Sequence, residues 1–339
     1  MIPVLLEHDL DPGGAARIEP FLRDVSGAVA DVEASLALAE CLAREAPLPG
    51  AGRTIHLWEI LATLGALDLT TARAVEPHLD AVAILREAGE DAPAGTWGVF
   101  AAEGPGVKVV ASEEGGHWVL DGTKPWCSLA GILTNGLITA HTPTGRRLFA
   151  IDLRNDGVEV ETGQWVARGL SGVTSSSIEL TAVPARAIGA DGWYLSRPGF
   201  AWGGAGVAAI WFGASVALAR TLFDALRERE PDQIGLALLG AVDRELHGCR
   251  AVLAAAAREI DAGAAFPAIL AQRVRSTAAS AAEFTLSAVA HSLGPAPLAT
   301  DEEHARRVAD LELYVRQDHA ERDLARLGGK LLEREERPW

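Results

Sequence analysis

The spacing of hydrophobic positions changes twice along this chain, and each change marks a different kind of element. From Ile18 to Glu45, apolar side chains at Phe21, Leu22, Val25, Val29, Val32, Leu36, Ala39 and Leu42 follow i, i+3, i+4, i+7 spacing. That period predicts one helix with a single buried face. Pro47-Leu-Pro49-Gly50 ends it. A second helix passes through Leu57, Ile60, Leu61 and Leu64 with Thr54 as N-cap, and a third runs from Leu69 or Thr70 to Ala88, stopped by Gly89.

After Asp91-Ala-Pro93-Ala-Gly95 short β-rich runs alternate with turn residues. Strands are expected at Trp97–Ala101, Val107–Ser112, His117–Leu120, Gly136–Thr142, Arg147–Asp152, Val158–Glu161 and Ser176–Thr181. The turns between them are Glu114-Gly-Gly116, Pro143-Thr-Gly145 and Asp156-Gly157. Short strands at this spacing indicate a small β barrel or sandwich. From Trp202 the helical period returns, with helices at Ala205–Arg229, Asp232–Ala262 and Ala268–Leu293. A last helix spans Asp301–Leu327, with Thr300 as N-cap and three acidic residues in its first turn. The expected class is α+β: an N-terminal helical domain (1–92), a middle small β-barrel or sandwich domain (93–190) and a C-terminal four-helix bundle (191–339).

Composition narrows the functional classes. A chain of 339 residues, 49% hydrophobic, is long enough for two or three packed subdomains. A formal charge of -16 argues against nucleic acid and anionic membrane as main partners. Cys41, Cys127 and Cys249 are scattered and odd in number, which fits neither a disulfide scaffold nor a zinc site and favours a reducing cytoplasm. No secretory signal is expected at Met1, and the long apolar stretches carry charges too often to predict a membrane span. His8, His56, His78 and His247 lack ligand spacing, so no metal is assigned.

One stretch carries candidate chemistry. Trp118–Gly131 reads as a strand that turns at Asp121-Gly122 and continues extended, with Trp126 two residues before Ser128. Residues two apart on an extended segment share a face. An indole and a hydroxyl side by side suit a planar cofactor with polar ring nitrogens; a hairpin Trp packed into a core is the alternative. Cys127, between them, should face away.

The succession G-T-W-G-V-F-A-A-E-G-P-G (95–106), W-V-L-D-G-T-K-P-W-C-S (118–128) and R-G-L-S-G-V-T-S-S-S-I-E-L-T-A-V-P (168–184) resembles the middle domain of the acyl-CoA dehydrogenase family. The helical segments on either side sit where that family has them. The resemblance implies FAD between the β domain and the C-terminal helices, with Trp126 against the isoalloxazine and Ser128 hydrogen-bonding near flavin N5. It also implies that Trp97 and Phe100 to Glu103 (Ala102 among them) lie on the strand whose backbone approaches the pyrimidine edge of the flavin, that Thr174 and Ser175 stand where family members contact flavin or substrate, and that His291 contributes to the cofactor site in what remains of a Q-x-x-G-G-x-G segment. There are departures. The family's T-E-P-x-x-G-S loop is here Ala102-Glu103-Gly104-Pro105-Gly106, and R-x-x-F-G is unrecognisable after Phe223, with Arg227 and Arg229 as loose substitutes.

The family's catalytic Glu would align with Asp318, followed by His319. The resemblance thus implies α,β-dehydrogenation of an acyl thioester, on coenzyme A or a carrier protein, with Asp318 as base. A charged, solvated last helix is the other account of these residues. Relatives of this fold that use reduced flavin and O₂ give an oxygenase alternative with His319 near the flavin, and a non-catalytic subunit of a flavoprotein heteromer is a third. Helix-to-helix packing through the small residues of Ala205–Arg229 is expected to make a homodimer or homotetramer.

Overall fold

The computed structural model describes residues 2–7, 12–23, 25–163, 165–228 and 230–339. Its strands are β1 (Trp97–Phe100), β2 (Val109–Glu114), β3 (His117–Ser128), β4 (Asn135–Thr142), β5 (Gly145–Asp152), β6 (Val158–Val160) and β7 (Ser175–Ile188). They close into a small barrel because β4 is paired along both edges. β5 lies antiparallel on one edge, β1 and β2 lie parallel on the other, and the circuit returns through β3 and β7.

β3 does not turn at Asp121-Gly122 as its sequence suggested. It runs straight through, and the irregularity lies opposite, where β7 bulges between Val183 and Leu180. The Asp121 carboxylate accepts the N–H of Ala182, at φ 49° in that bulge. Gly122 is needed for a close approach: a Cβ there would sit 2.3 Å from the Lys108 carbonyl oxygen. A second bulge falls on β3 itself, between Lys124 and Cys127, and lifts Trp126 out of register.

Around the barrel lie α1 (Pro12–Ile18), α2 (Val32–Glu45), α3 (Thr54–Leu67) and α4 (Leu69–Glu87) from the first part of the chain. The remainder gives α5 (Trp193–Ser196), α6 (Pro198–Arg227), α7 (Gln233–Asp261), α8 (Pro267–Leu293), α9 (Ala296–Thr300), α10 (Glu302–Tyr314) and α11 (Glu321–Leu332). The helix expected from Ile18 begins only at Val32. Ala30 is left-handed at φ 57°, its N–H is taken by Asp68, and Asp31 caps the Ala34 N–H. Thr54 is not an N-cap; its hydroxyl donates to Asp261, 2.6 Å away, and ties α3 to the end of α7. The cap before α10 is Asp301, which accepts the His304 N–H; Thr300 bonds back to Ala296.

One continuous core joins both helical regions to the inner face of the barrel. α6 is its axis, with Ala208 to Phe212 fully buried. By length and composition α6 could cross a membrane, but 78% of its apolar stretch is buried inside this fold. Its small residues, read from sequence as a subunit contact, serve the chain's own packing. A Cβ on Gly213 would lie 1.8 Å from the Ala62 carbonyl oxygen of α3, and one on Gly65 would lie 2.4 Å from that of Ile210.

Candidate functional site

The β3 bulge shapes the site. Trp126 adopts φ 61° and leaves its side chain 62% exposed. Cys127, next along, is buried, and its thiol donates to the Lys124 carbonyl oxygen. Trp126, Ser128 and Ser175 form one wall of a cleft of about 540 Å³, with Ala102 and Glu103 beyond β1 and Trp165 from the loop before β7. Arg73 of α4 and Tyr314, Gln317 and His319 at the end of α10 form the other. The walls are clamped together by Asp310 of α10, which accepts the Leu170 N–H at 2.5 Å. Gly169 lets the two backbones touch there, since a Cβ on it would meet the Ala309 carbonyl oxygen at 1.9 Å.

The polar groups are ordered. Arg73 donates to Ser128 Oγ at 3.0 Å, and the Ser128 and Ser175 hydroxyls are 2.7 Å apart. With Arg73 donating to the Ser128 oxygen, the hydroxyl proton is left to point at Ser175 or into the cleft. The Arg73 guanidinium also lies over the Tyr314 ring, 5.8 Å from its centroid. Tyr314 is 1% exposed, and its hydroxyl has no hydrogen-bond partner among the described residues. Glu103 is not a free base. Lys124 at 3.0 Å, Arg146 at 2.6 Å and His141 at 3.4 Å surround it. Burial opposes its charge, but these partners prevail and hold its carboxyl below the usual range.

The last helix is not continuous, and its break makes the far wall. α10 ends at Tyr314, Val315–Gln317 form a 3₁₀ turn, and Ala320 takes φ 48° before α11 starts. Two carboxylates stabilise the break by accepting backbone N–H groups: Asp318 takes that of Ala320 at 2.9 Å, and Asp323 that of His319 at 3.0 Å. Asp318 and His319 therefore point in different directions. His319 is exposed and lines the cleft, whereas Asp318 is 6% exposed and lines a separate cavity with Glu245 and Cys249 of α7. One Asp318 oxygen has no partner, and burial pushes this carboxyl up.

Seven of the residues singled out from sequence thus meet in one cleft: Ala101, Ala102, Glu103, Trp126, Ser128, Ser175 and His319. The side chains of the others lie elsewhere. Trp97 is 2% exposed, with its indole N–H on the Pro93 carbonyl oxygen, and Phe100, equally buried, packs inside the barrel. Thr174 is exposed and contributes its carbonyl oxygen to the Leu129 N–H. His291 lines a different groove, with Leu298 and His304. Arg227 stacks over Phe223 at the end of α6; Arg229 and His8 lie outside the described residues. Sequence reasoning missed Arg73, Trp165 and Gln317. Only Arg73 left a signal, as a lone charge in the otherwise uncharged run Leu69–Val75.

These residues fit a flat, polar-edged ring. The exposed indole offers a stacking face, and the serine pair and Arg73 offer hydrogen bonds.

Behind Arg73, the same face of α4 carries Glu76 and Asp80. Pro77 lacks the N–H that would reach the Arg73 carbonyl, which loosens the helix at this turn. Burial raises Glu76 to about 7 and Asp80 to about 6. For Glu76 the folded value exceeds the unfolded one, so the native chain binds the extra proton. Its contribution is fully present below about pH 4.5 and is lost as pH rises through about 7. Glu76→Gln should flatten that slope and be more stable than the parent at pH 8 by about 1–3 kcal/mol. Urea melts between pH 5 and 8 check this (roughly the window set by linkage); identical slopes in the two proteins would refute it.

No sequence-family profile matches the chain, and no curated protein matches it in sequence. Solved structures do match. Glutaryl-CoA dehydrogenase from Mycobacterium smegmatis superposes with TM-score 0.81 at 16% identity, covering 96% of this chain and 95% of its own. Butyryl-CoA dehydrogenase from Megasphaera elsdenii gives 0.77 at 16% identity, covering 94% and 95%. KijD3, solved with FMN and dTDP-3-amino-2,3,6-trideoxy-4-keto-3-methyl-D-glucose, gives 0.78 at 18% identity, covering 98% and 97%. The chain has the fold of the acyl-CoA dehydrogenases and is a divergent example of it.

Proposed function

We propose that this chain is a flavin-dependent oxidoreductase, with FAD as its cofactor and its ring against Trp126. The observation that carries the proposal is the open cleft in which an exposed indole and a serine pair face Arg73, Tyr314 and His319. A bound flavin would supply two-electron transfer. Ser128, Ser175 and Arg73 would hold the polar edge of the ring. Trp165 would narrow the entrance.

Dehydrogenation of an acyl thioester and oxygenation with reduced flavin ask different things of the loop after α10. The first needs a carboxylate aimed at the carbon that loses its proton. Asp318 is turned toward α7 and holds the Ala320 N–H, while the group on the cleft side is the imidazole of His319. This placement favours oxygenation, with His319 moving the proton.

Anaerobic mixing of the flavin-loaded protein with a panel of acyl-CoA esters is therefore expected to leave its visible band unchanged. The photoreduced protein should consume O₂. Asp318→Asn should retain bound flavin and the same O₂ uptake, whereas His319→Ala should alter the pH dependence of that uptake. Bleaching by an acyl-CoA that disappears in Asp318→Asn would instead establish the thioester reaction with Asp318 as base.

A further inference from the structure

A second cavity lies one helical turn along α4 from the cleft. It has about 40 Å³ of free space, a few times what one water requires. Its walls come from the end of α2, the Ala46–Pro49 loop, α3, α4 and α6, and are apolar apart from Trp58, Trp202, Glu76 and Asp80. The Arg73–Glu76 ion pair, at 3.8 Å, links this cavity to the flavin cleft.

The polar groups here are incompletely satisfied. Asp80 makes no hydrogen bond or ion pair among the described residues. Gly203 keeps the space before it clear, since a Cβ there would lie 2.6 Å from Asp80 Oδ1. The neighbouring cations leave Asp80 unpaired. Arg197 donates to Glu87 and Arg275 to the carbonyl oxygens of Gly204 and Gln317, while Arg73 donates to Ser128 with one nitrogen and pairs with Glu76 through the other. None of these three guanidinium groups lines the cavity. Trp58 is 0% exposed, yet its Nε1–H has no acceptor among the described residues. That nitrogen lies 3.7 Å from where a side chain on Gly206, another wall residue, would begin. An unmet buried N–H, an Asp80 carboxylate without a partner among the described residues and a Glu76 paired only at 3.8 Å, set around an apolar space, favour a partner of mixed character. The carboxylates need a cationic donor, the indole N–H needs an oxygen acceptor, and the two aromatic rings favour a cation between them.

We propose that this cavity receives the non-reacting end of the substrate, and that this end is a protonated amine with an oxygen acceptor on the neighbouring carbon. The proposal rests on the flavoenzyme reading of the cleft but concerns different atoms. The ammonium sits between Asp80 and Glu76, and the adjacent oxygen takes the Trp58 N–H.

Small probes separate the parts. Binding of 2-aminoethanol, ethylamine, ethylene glycol and acetate is measured by saturation-transfer NMR, with FAD binding followed separately in every protein. The expected order is 2-aminoethanol, then ethylamine, then the two uncharged or anionic probes, with at least tenfold between first and last. Asp80→Asn should remove the preference for the two amines. Trp58→Phe should remove only the advantage of 2-aminoethanol over ethylamine. Both variants should bind FAD as the parent does, so that loss of FAD binding in the parent itself would count against the cleft and not this cavity. Equal binding of ethylene glycol or acetate, amine binding that survives Asp80→Asn, or no binding of either amine would overturn the proposal. The probe ranking in the parent protein decides the matter even if a variant fails to fold.

Discussion

Replacing Trp126 with glycine is expected to weaken flavin binding by roughly tenfold to a hundredfold, the range that stacking worth about 1–3 kcal/mol predicts, without lowering thermal stability. The indole is 62% exposed, so its removal costs little packing. Its backbone is left-handed at φ 61°, which costs a non-glycine residue roughly 1 kcal/mol and glycine almost nothing. A residue kept at a strained position with its apolar face in solvent contributes nothing evident to stability, and the cleft beside it explains what it is for. Thermal melts alongside retained flavin after gel filtration check the prediction. A variant that melts early and keeps its flavin would mean that Trp126 is a packing residue.

The largest loss of stability is expected from Gly213→Ala. The crossing of α3 and α6 is a backbone contact, with Gly213 against the Ala62 carbonyl oxygen and Gly65 against that of Ile210. A methyl at 1.8 Å from an oxygen cannot be absorbed by rotating a side chain, because the obstacle is main chain inside a buried helix. The helices must separate, at a cost of about 3 kcal/mol or more. Gly240→Ala on α7 is the control. Nothing lies within 4 Å of its Cβ position, and the change should stabilise by roughly 0.5–1 kcal/mol through helix propensity. Denaturant midpoints of the two variants should move in opposite directions. A Gly213→Ala midpoint equal to the parent's would mean that α3 and α6 do not pack as closely as described.

Because α6 also carries Gly203 and Gly206, the same crossing fixes the walls of the α4 cavity. The stability of the bundle and the shape of the substrate end are thereby linked through one helix.

Much of this was legible in the sequence where the signal is local. Trp126 and Ser128 share one cleft and Cys127 turns inward, although the bulge on β3, and not unbroken two-residue alternation, brings the indole there; the helical period found α3, α4, α7 and α8 to within a few residues and missed the first seven residues of α6. What escaped depends on partners distant in the chain. Asp121-Gly122 looks like a hairpin turn, but the glycine answers to Lys108 and the aspartate to Ala182. The break after α10 has no glycine or proline to announce it. It exists because Asp318 and Asp323 accept the N–H groups of Ala320 and His319, and it alone determines that His319 and not Asp318 lines the cleft. Trp97 and Phe100 were singled out by resemblance for the backbone of their strand; their side chains fill cores, which the resemblance did not announce. Arg73 and Tyr314 could not be paired from sequence, since 241 positions separate them.

The most direct test of the account is the visible spectrum of the purified protein after equilibration with FAD and removal of the unbound cofactor. The account predicts a yellow flavin band that elutes with the protein at one flavin per chain. A protein that stays colourless after the same treatment with FAD and with FMN would contradict it.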